Sequence, residues 1–253
     1  MLKNHFIPPS IGFALLLLVG GCASATSGTQ TPSSGPESSG GESPAPETQV
    51  VMRSTTPIAV PQPAVAREAL SEPLQRIWED VEHAVALTAP APPQESSSEA
   101  IEIWAEQTLV PWNMEKTSAI RRAESGAEGL AQWSPEEQGI GAGLLGYLYE
   151  DMASGLRGTP VPAEIASDNE LLGLYVEAIQ ELLAPYALAS AQAYALCAKS
   201  LLPLGDDSGW AEWAQYCVDR AQDVATVYEL KASADDGSPA GGSPAGGSAS
   251  ESQ

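Results

Sequence analysis

The sequence predicts an all-α fold, and three observations carry that expectation. From residue 67 to 231 apolar side chains recur at three- and four-residue spacing. No stretch alternates apolar and polar with period two for long enough to make a strand. Prolines and capping residues cut the periodic stretch into pieces of helical length.

The first helix opens at Ser71-Glu72-Pro73, with Ser as N-cap and Pro in the first turn. Leu74, Ile77, Trp78, Val81 and Val85 form its apolar stripe, and Glu79, Asp80 and Glu82 its wet face. Pro90, Pro92 and Pro93 stop it. A second helix starts near Ser98, carries Ile101, Trp104, Ala105 and Thr108, and ends before Pro111. A third runs from Asn113 through Ile120 and Ala123 towards Leu130. Ser134-Pro135-Glu136-Glu137 reads as a capping box, Ser bonding forward and Glu137 reaching back. It launches a long helix that ends near Arg157-Gly158.

A second capping box, Ser167-Asp168-Asn169-Glu170, starts a helix with the stripe Leu171, Leu172, Tyr175, Ile179, Leu182 and Leu183. Pro185 should kink or break it, so that Tyr186 to Leu202 form the next helix. Ser208 caps a last helix reaching about Lys231. Gly139, Gly143 and Gly146 share one face of the helix that starts at Pro135. Each costs about 1 kcal/mol relative to Ala, which close approach of a neighbouring helix would offset.

The N-terminus has the parts of an export signal: Lys3, the apolar run Ile11 to Val19, then small residues before the first cysteine. The run is too short for a bilayer core that needs about 20 apolar residues. Val19-Gly20-Gly21-Cys22 resembles the lipobox of bacterial lipoproteins. The resemblance implies cleavage after residue 21, acylation of Cys22 and anchoring of the mature chain in a membrane. Ala23 and Ser24 lack the aspartate that retains some lipoproteins at the inner membrane, which by that rule implies the outer membrane. Residues 22–66, rich in Ser, Thr, Gly, Pro and Glu, cannot bury enough apolar surface to offset ordering entropy and are expected to be a disordered linker. Residues 232–253, where Gly237-Ser238-Pro239-Ala240-Gly241 recurs at Gly242 to Gly246, form a similar tail. Between them lies one domain, 67–231.

With Cys22 assigned to lipid, two cysteines remain. Cys197 and Cys217 lie equally far on either side of a turn centred near Asp207. In an antiparallel helical hairpin such positions face each other, and Ala193, Ala198, Ala214 and Ala221 would let the helices approach within disulfide reach. Export favours a persistent bond. A reactive or metal-binding thiol pair is the competing reading, but it needs His or Cys partners that are missing.

The net charge of −22 argues against nucleic acid as a partner, since phosphate backbones would be repelled. His83 is the one histidine beyond the signal, set among Glu79 and Glu82, and no zinc set, phosphate loop, dinucleotide fingerprint or Ser elbow appears. No catalytic, cofactor or metal residues are therefore assigned. Asp206-Asp207-Ser208-Gly209 begins like a calcium loop, but Trp210 and Cys217 occupy positions that need oxygen ligands. Glu150 and Asp151 beside Tyr147 and Tyr149 could suit glycan chemistry; acids are abundant enough in this chain for such a cluster to arise by chance. Trp104, Trp112, Trp133, Trp210 and Trp213 are expected mainly in the core.

Gly139 to Val224 resembles the helical C-terminal region of tetratricopeptide-repeat proteins of bacterial envelopes, including some associated with gliding motility. The pieces that carry the resemblance are Gly143-Leu144-Leu145-Gly146-Tyr147-Leu148-Tyr149-Glu150-Asp151, Thr159-Pro160-Val161-Pro162, Leu174-Tyr175, Leu183-Ala184-Pro185, Ala193-Tyr194-Ala195-Leu196-Cys197, Trp213 and Cys217. It implies helical hairpins stacked as a short solenoid segment, a shape that binds partner proteins and has no inherent catalytic activity. The expected role is a non-catalytic scaffold that binds other envelope proteins; the alternative is a periplasmic factor binding or remodelling peptidoglycan or another glycan.

Overall fold

A computed structural model of the protein describes residues 55–230. The expected signal peptide, Cys22, the first part of the linker and the tail at 232–253 lie outside the described residues. Helices α1 (Glu72–Ala86), α2 (Ser98–Trp104), α3 (Val110–Gly126), α4 (Pro135–Arg157), α5 (Ala163–Ala166), α6 (Asn169–Leu201) and α7 (Ala211–Val227) follow in order, and no strand occurs among the described residues. Helix α4 is central. It packs against α1, α3, α6 and α7, while α1 pairs with α3 and α6 with α7.

The α1 stripe is buried at Leu74, Ile77, Trp78 and Val81, with Ala84 in place of the expected Val85. Its N-terminus is completed from another helix. Glu137 does not reach back to its own N-cap; its Oε1 accepts the Ser71 backbone N–H at 3.2 Å. Only the forward half of the expected capping box forms, Ser134 Oγ accepting Glu137 N–H at 3.3 Å. At the second box the cap is Asp168, which accepts from Glu170 N–H at 2.9 Å and Leu171 N–H at 3.2 Å. Ser167 instead donates to the Glu164 carbonyl.

Two expected helix breaks do not occur. Pro111 does not separate α2 from α3. A π-helical turn, Ala105–Leu109, joins them, and Pro111 falls in the first turn of α3. The wider turn shifts the bonding register where proline cannot donate. Pro185 sits inside α6 without ending it. Glu181, whose carbonyl loses its donor there, is an exposed residue, and the packing of α6 on α4 and α7 carries the helix through.

Residues 55–66, assigned above to the disordered linker, are instead an ordered, non-helical strap across the helices. Thr55 is buried, and its carbonyl accepts from Ser154 Oγ of α4 at 3.0 Å. The Ile58 carbonyl accepts from Tyr216 Oη at 2.9 Å, and the Gln62 carbonyl from Trp213 Nε1 at 3.0 Å. Pro57, Pro61 and Pro63 bring no N–H needing a partner and lose little backbone entropy on ordering. The strap thus uses its carbonyls to satisfy side-chain donors on α4 and α7, the buried Trp213 indole among them. Apolar composition alone does not reveal that.

Candidate functional site

The densest chemistry in the domain lies where α4, α6 and α7 meet, and glycine makes room for it. A Cβ on Gly139 would stand 2.4 Å from Leu201, and one on Gly146 2.8 Å from the Tyr194 ring. At Gly143 it would stand 3.2 Å from Cys197 Sγ and 3.3 Å from Cys217 Sγ. The glycine face is therefore the seat of α6 and of the bond between α6 and α7. Cys197 and Cys217 are joined there, with Cα atoms 5.9 Å apart and both residues fully buried. The turn between the two helices passes through Gly205 and Gly209, at φ 81° and 78°, a region that side chains rarely adopt.

One turn beyond the glycines, Glu150 is completely buried beside Arg220 of α7. Its Oε2 accepts from Arg220 Nε at 3.2 Å and from Tyr194 Oη at 2.9 Å, and its Oε1 accepts from Arg220 Nη2. Tyr194 Oη also meets Tyr216 Oη at 3.2 Å, and Tyr216 continues the chain to the strap at Ile58. Burial works against the charge on Arg220, yet the Glu150 carboxylate beside it holds its pKa above the ordinary arginine value. Burial, with Tyr216 and Glu150 adding to it, drives Tyr194 well above the usual tyrosine range. The network is closed: each polar group answers another.

Asp151 points elsewhere. It pairs with Lys116 of α3, a fully buried side chain whose Nζ also donates to the Ala84 carbonyl at 2.6 Å and the Leu87 carbonyl at 3.2 Å. An ammonium at these C-terminal carbonyls of α1 complements the helix dipole. Burial lowers the Lys116 pKa, and the bond to Asp151 partly offsets it. The two adjacent carboxylates thus diverge into separate ion pairs. Tyr149 gives its hydroxyl to Glu124 at 2.6 Å. Neither acid faces the other across a cleft that could hold a glycosidic bond.

Trp78, Trp104, Trp210 and Trp213 are buried, and Trp112 and Trp133 are partly covered. Trp213 packs edge-on to Trp78 with ring centroids 5.7 Å apart, and Trp112 donates to the Leu87 carbonyl at 2.9 Å. His83 is exposed. Ser208 Oγ accepts from Trp210 N–H in the turn before α7, and Asp206 and Asp207 belong to that turn. Arg157, at the end of α4, is buried with its Cζ 5.0 Å from the Tyr228 ring. Its Nε and Nη1 have no hydrogen-bond partner among the described residues, and burial lowers its pKa.

Sequence reasoning missed Arg220 and Lys116. A signal was present for the first: Arg220 lies on the face of α7 that carries Cys217 and Val224, where a lone cation calls for a carboxylate opposite.

These features define an all-helical domain stapled by one disulfide and centred on buried ion pairs. No protein-family model matches the chain, and neither a curated protein nor a solved structure matches it.

Proposed function

We propose that the chain is a lipid-anchored lipoprotein of the bacterial cell envelope, held at the outer membrane facing the periplasm. In this reading its helical domain is a non-catalytic module that binds other envelope proteins. The sequence Val19-Gly20-Gly21-Cys22 behind an apolar run supports the anchor. The observation that carries the rest is the use of the interior acids. Glu150 and Asp151 serve the packing of α3, α4 and α7, and large apolar side chains stand exposed on α6, among them Leu174 and Leu188. Such a surface suits protein contact. The glycan alternative draws less support, because none of the six tryptophans is an exposed platform for sugar stacking.

The test has two arms. Labelling with an alkyne analogue of palmitate should mark the wild-type chain and leave Cys22→Ala unmarked and unprocessed; persistent labelling of the variant removes the anchor from the proposal. Affinity capture of the lipidated protein after mild solubilisation should retain a stoichiometric envelope protein. Retention of peptidoglycan with no protein would replace the scaffold reading by the glycan one.

A further inference from the structure

Helix α6 buries one side against α4 and α7 and leaves the other in solvent. Leu174 and Leu188 lie on that open side and Leu202 follows in the 3-10 turn at its end, at 58 %, 43 % and 56 % exposure, evenly spaced about four turns apart. Glu181 and Ala195 stand midway between them, and Glu177 and Lys199 share the stripe; all four are exposed. Neither Glu177 nor Lys199 forms an ion pair among the described residues. The spacing of the stripe is seven residues, the repeat by which one helix keeps a seam facing another.

We propose that this face is a self-association surface on which two copies of the chain pair antiparallel, with the two-fold axis at Leu188. The charge pattern selects the occupant and the direction. About an axis at Leu188, Glu177 stands opposite the partner's Lys199 and Lys199 opposite the partner's Glu177. In the same register Leu174 meets the partner's Leu202, and Leu188 meets its own copy. The exposed leucines of the stripe then have complements, as an isologous interface requires; of its charges Glu177 and Lys199 pair, and Glu181 faces the partner's Ala195. A parallel pair in register would instead place Glu177 against Glu177 and Lys199 against Lys199. Ala184 and Ala195 keep the seam narrow enough for the leucines to meet. The matched stripe runs about 42 Å along the helix axis, from residue 174 to 202.

A lipid surface is the competing occupant. The stretch Asn169–Leu204 is long and apolar enough to cross a membrane by length and composition. Glu177, Glu181 and Lys199 lie within its open face, however, where hydrocarbon disfavours charge and a facing copy neutralises two of the three. The inference is drawn from α6 alone and does not depend on lipidation of Cys22.

The test uses the mature chain from residue 22 with Cys22→Ser, so that no acyl group contributes. Sedimentation should give twice the monomer mass, and Leu188→Asp, a change at an exposed site, should give the monomer with an unaltered helical spectrum. Glu177→Lys and Lys199→Glu should each weaken association about tenfold or more, and the two together should restore it. Oxidation should cross-link Leu188→Cys to its own copy, and Leu174→Cys only to Leu202→Cys. A chain that stays monomeric at its solubility limit overturns the proposal, as does a dimer indifferent to these changes. Binding of the monomer to neutral phosphatidylcholine vesicles, abolished by Leu188→Asp, would also overturn it and give the face to lipid.

Discussion

Glu150 and Arg220 show how much one buried pair can decide. Removing one partner of such a pair leaves a charge in low dielectric, which costs about 3–5 kcal/mol, whereas replacing both with apolar groups is often near neutral. Glu150→Gln is therefore expected to lower unfolding stability by several kcal/mol in a urea titration. Glu150→Met combined with Arg220→Met should recover most of the loss; a double variant as weak as the single one would mean the pair itself drives folding. Gly146→Ala is the complementary case. The added methyl would press on the Tyr194 ring, which is buried and hydrogen-bonded, so a loss of about 1–3 kcal/mol follows from overpacking. A neutral result by the same titration would show that α6 can move away from α4.

For the helices, the sequence makes existence easier to read than ends. The stripe of α1 and the glycine face of α4 are legible because periodicity and small size act locally. What failed needed knowledge of distant partners. Glu137 caps α1 and not its own helix, because the Ser71 N–H comes within reach only after α1 packs on α4. Pro185 and Pro111 read as breaks because proline is judged by its lost donor; neither the packing around α6 nor the π turn before α3 has a signature in local composition. The facing of Cys197 and Cys217, by contrast, follows from symmetry about a turn, a local property. The bond closes a loop between residues 20 apart in sequence, so reduction or Cys217→Ala should cost about 3 kcal/mol on the chain-entropy view. Circular dichroism should retain its helical form at low denaturant while the midpoint falls. Loss of helix on reduction alone would assign α6 and α7 no stability of their own.

At the scale of the whole molecule, the seven tyrosines give a common readout. Burial raises the pKa of every one, Tyr175 to about 12, with nearby carboxylates adding to the rise at Tyr147, Tyr149 and Tyr194. A pKa raised by folding means that the neutral phenol favours the native state. That stability is fully present below the unfolded value near 10 and is lost as pH rises through the folded values. Absorbance at 295 nm should therefore stay low past pH 10 and then rise steeply together with loss of helix. Separate, gradual ionisation near pH 10 with the helices intact would contradict the burial of these rings.

The strap gives the domain a direction of weakness. Any load arriving from the N-terminal side enters at Thr55 and meets one after another the bonds to Tyr228 and Ser154, to Tyr216 and to Trp213, before it reaches Arg67. Bonds loaded one after another yield at far lower force than bonds loaded together, so the strap would peel while the disulfide-stapled helices hold. The twelve residues released in this way have a contour of about 40 Å, of which the part not already spanned by the strap is gained as reach, and their release uncovers the indole of Trp213. Pulling on single molecules from residue 54 against residue 230 should show that short step first, with a change in tryptophan emission, and rupture of the helical body only at higher load. The same segment that completes the aromatic core would then work as a mechanical fuse between the core and whatever holds the N-terminus.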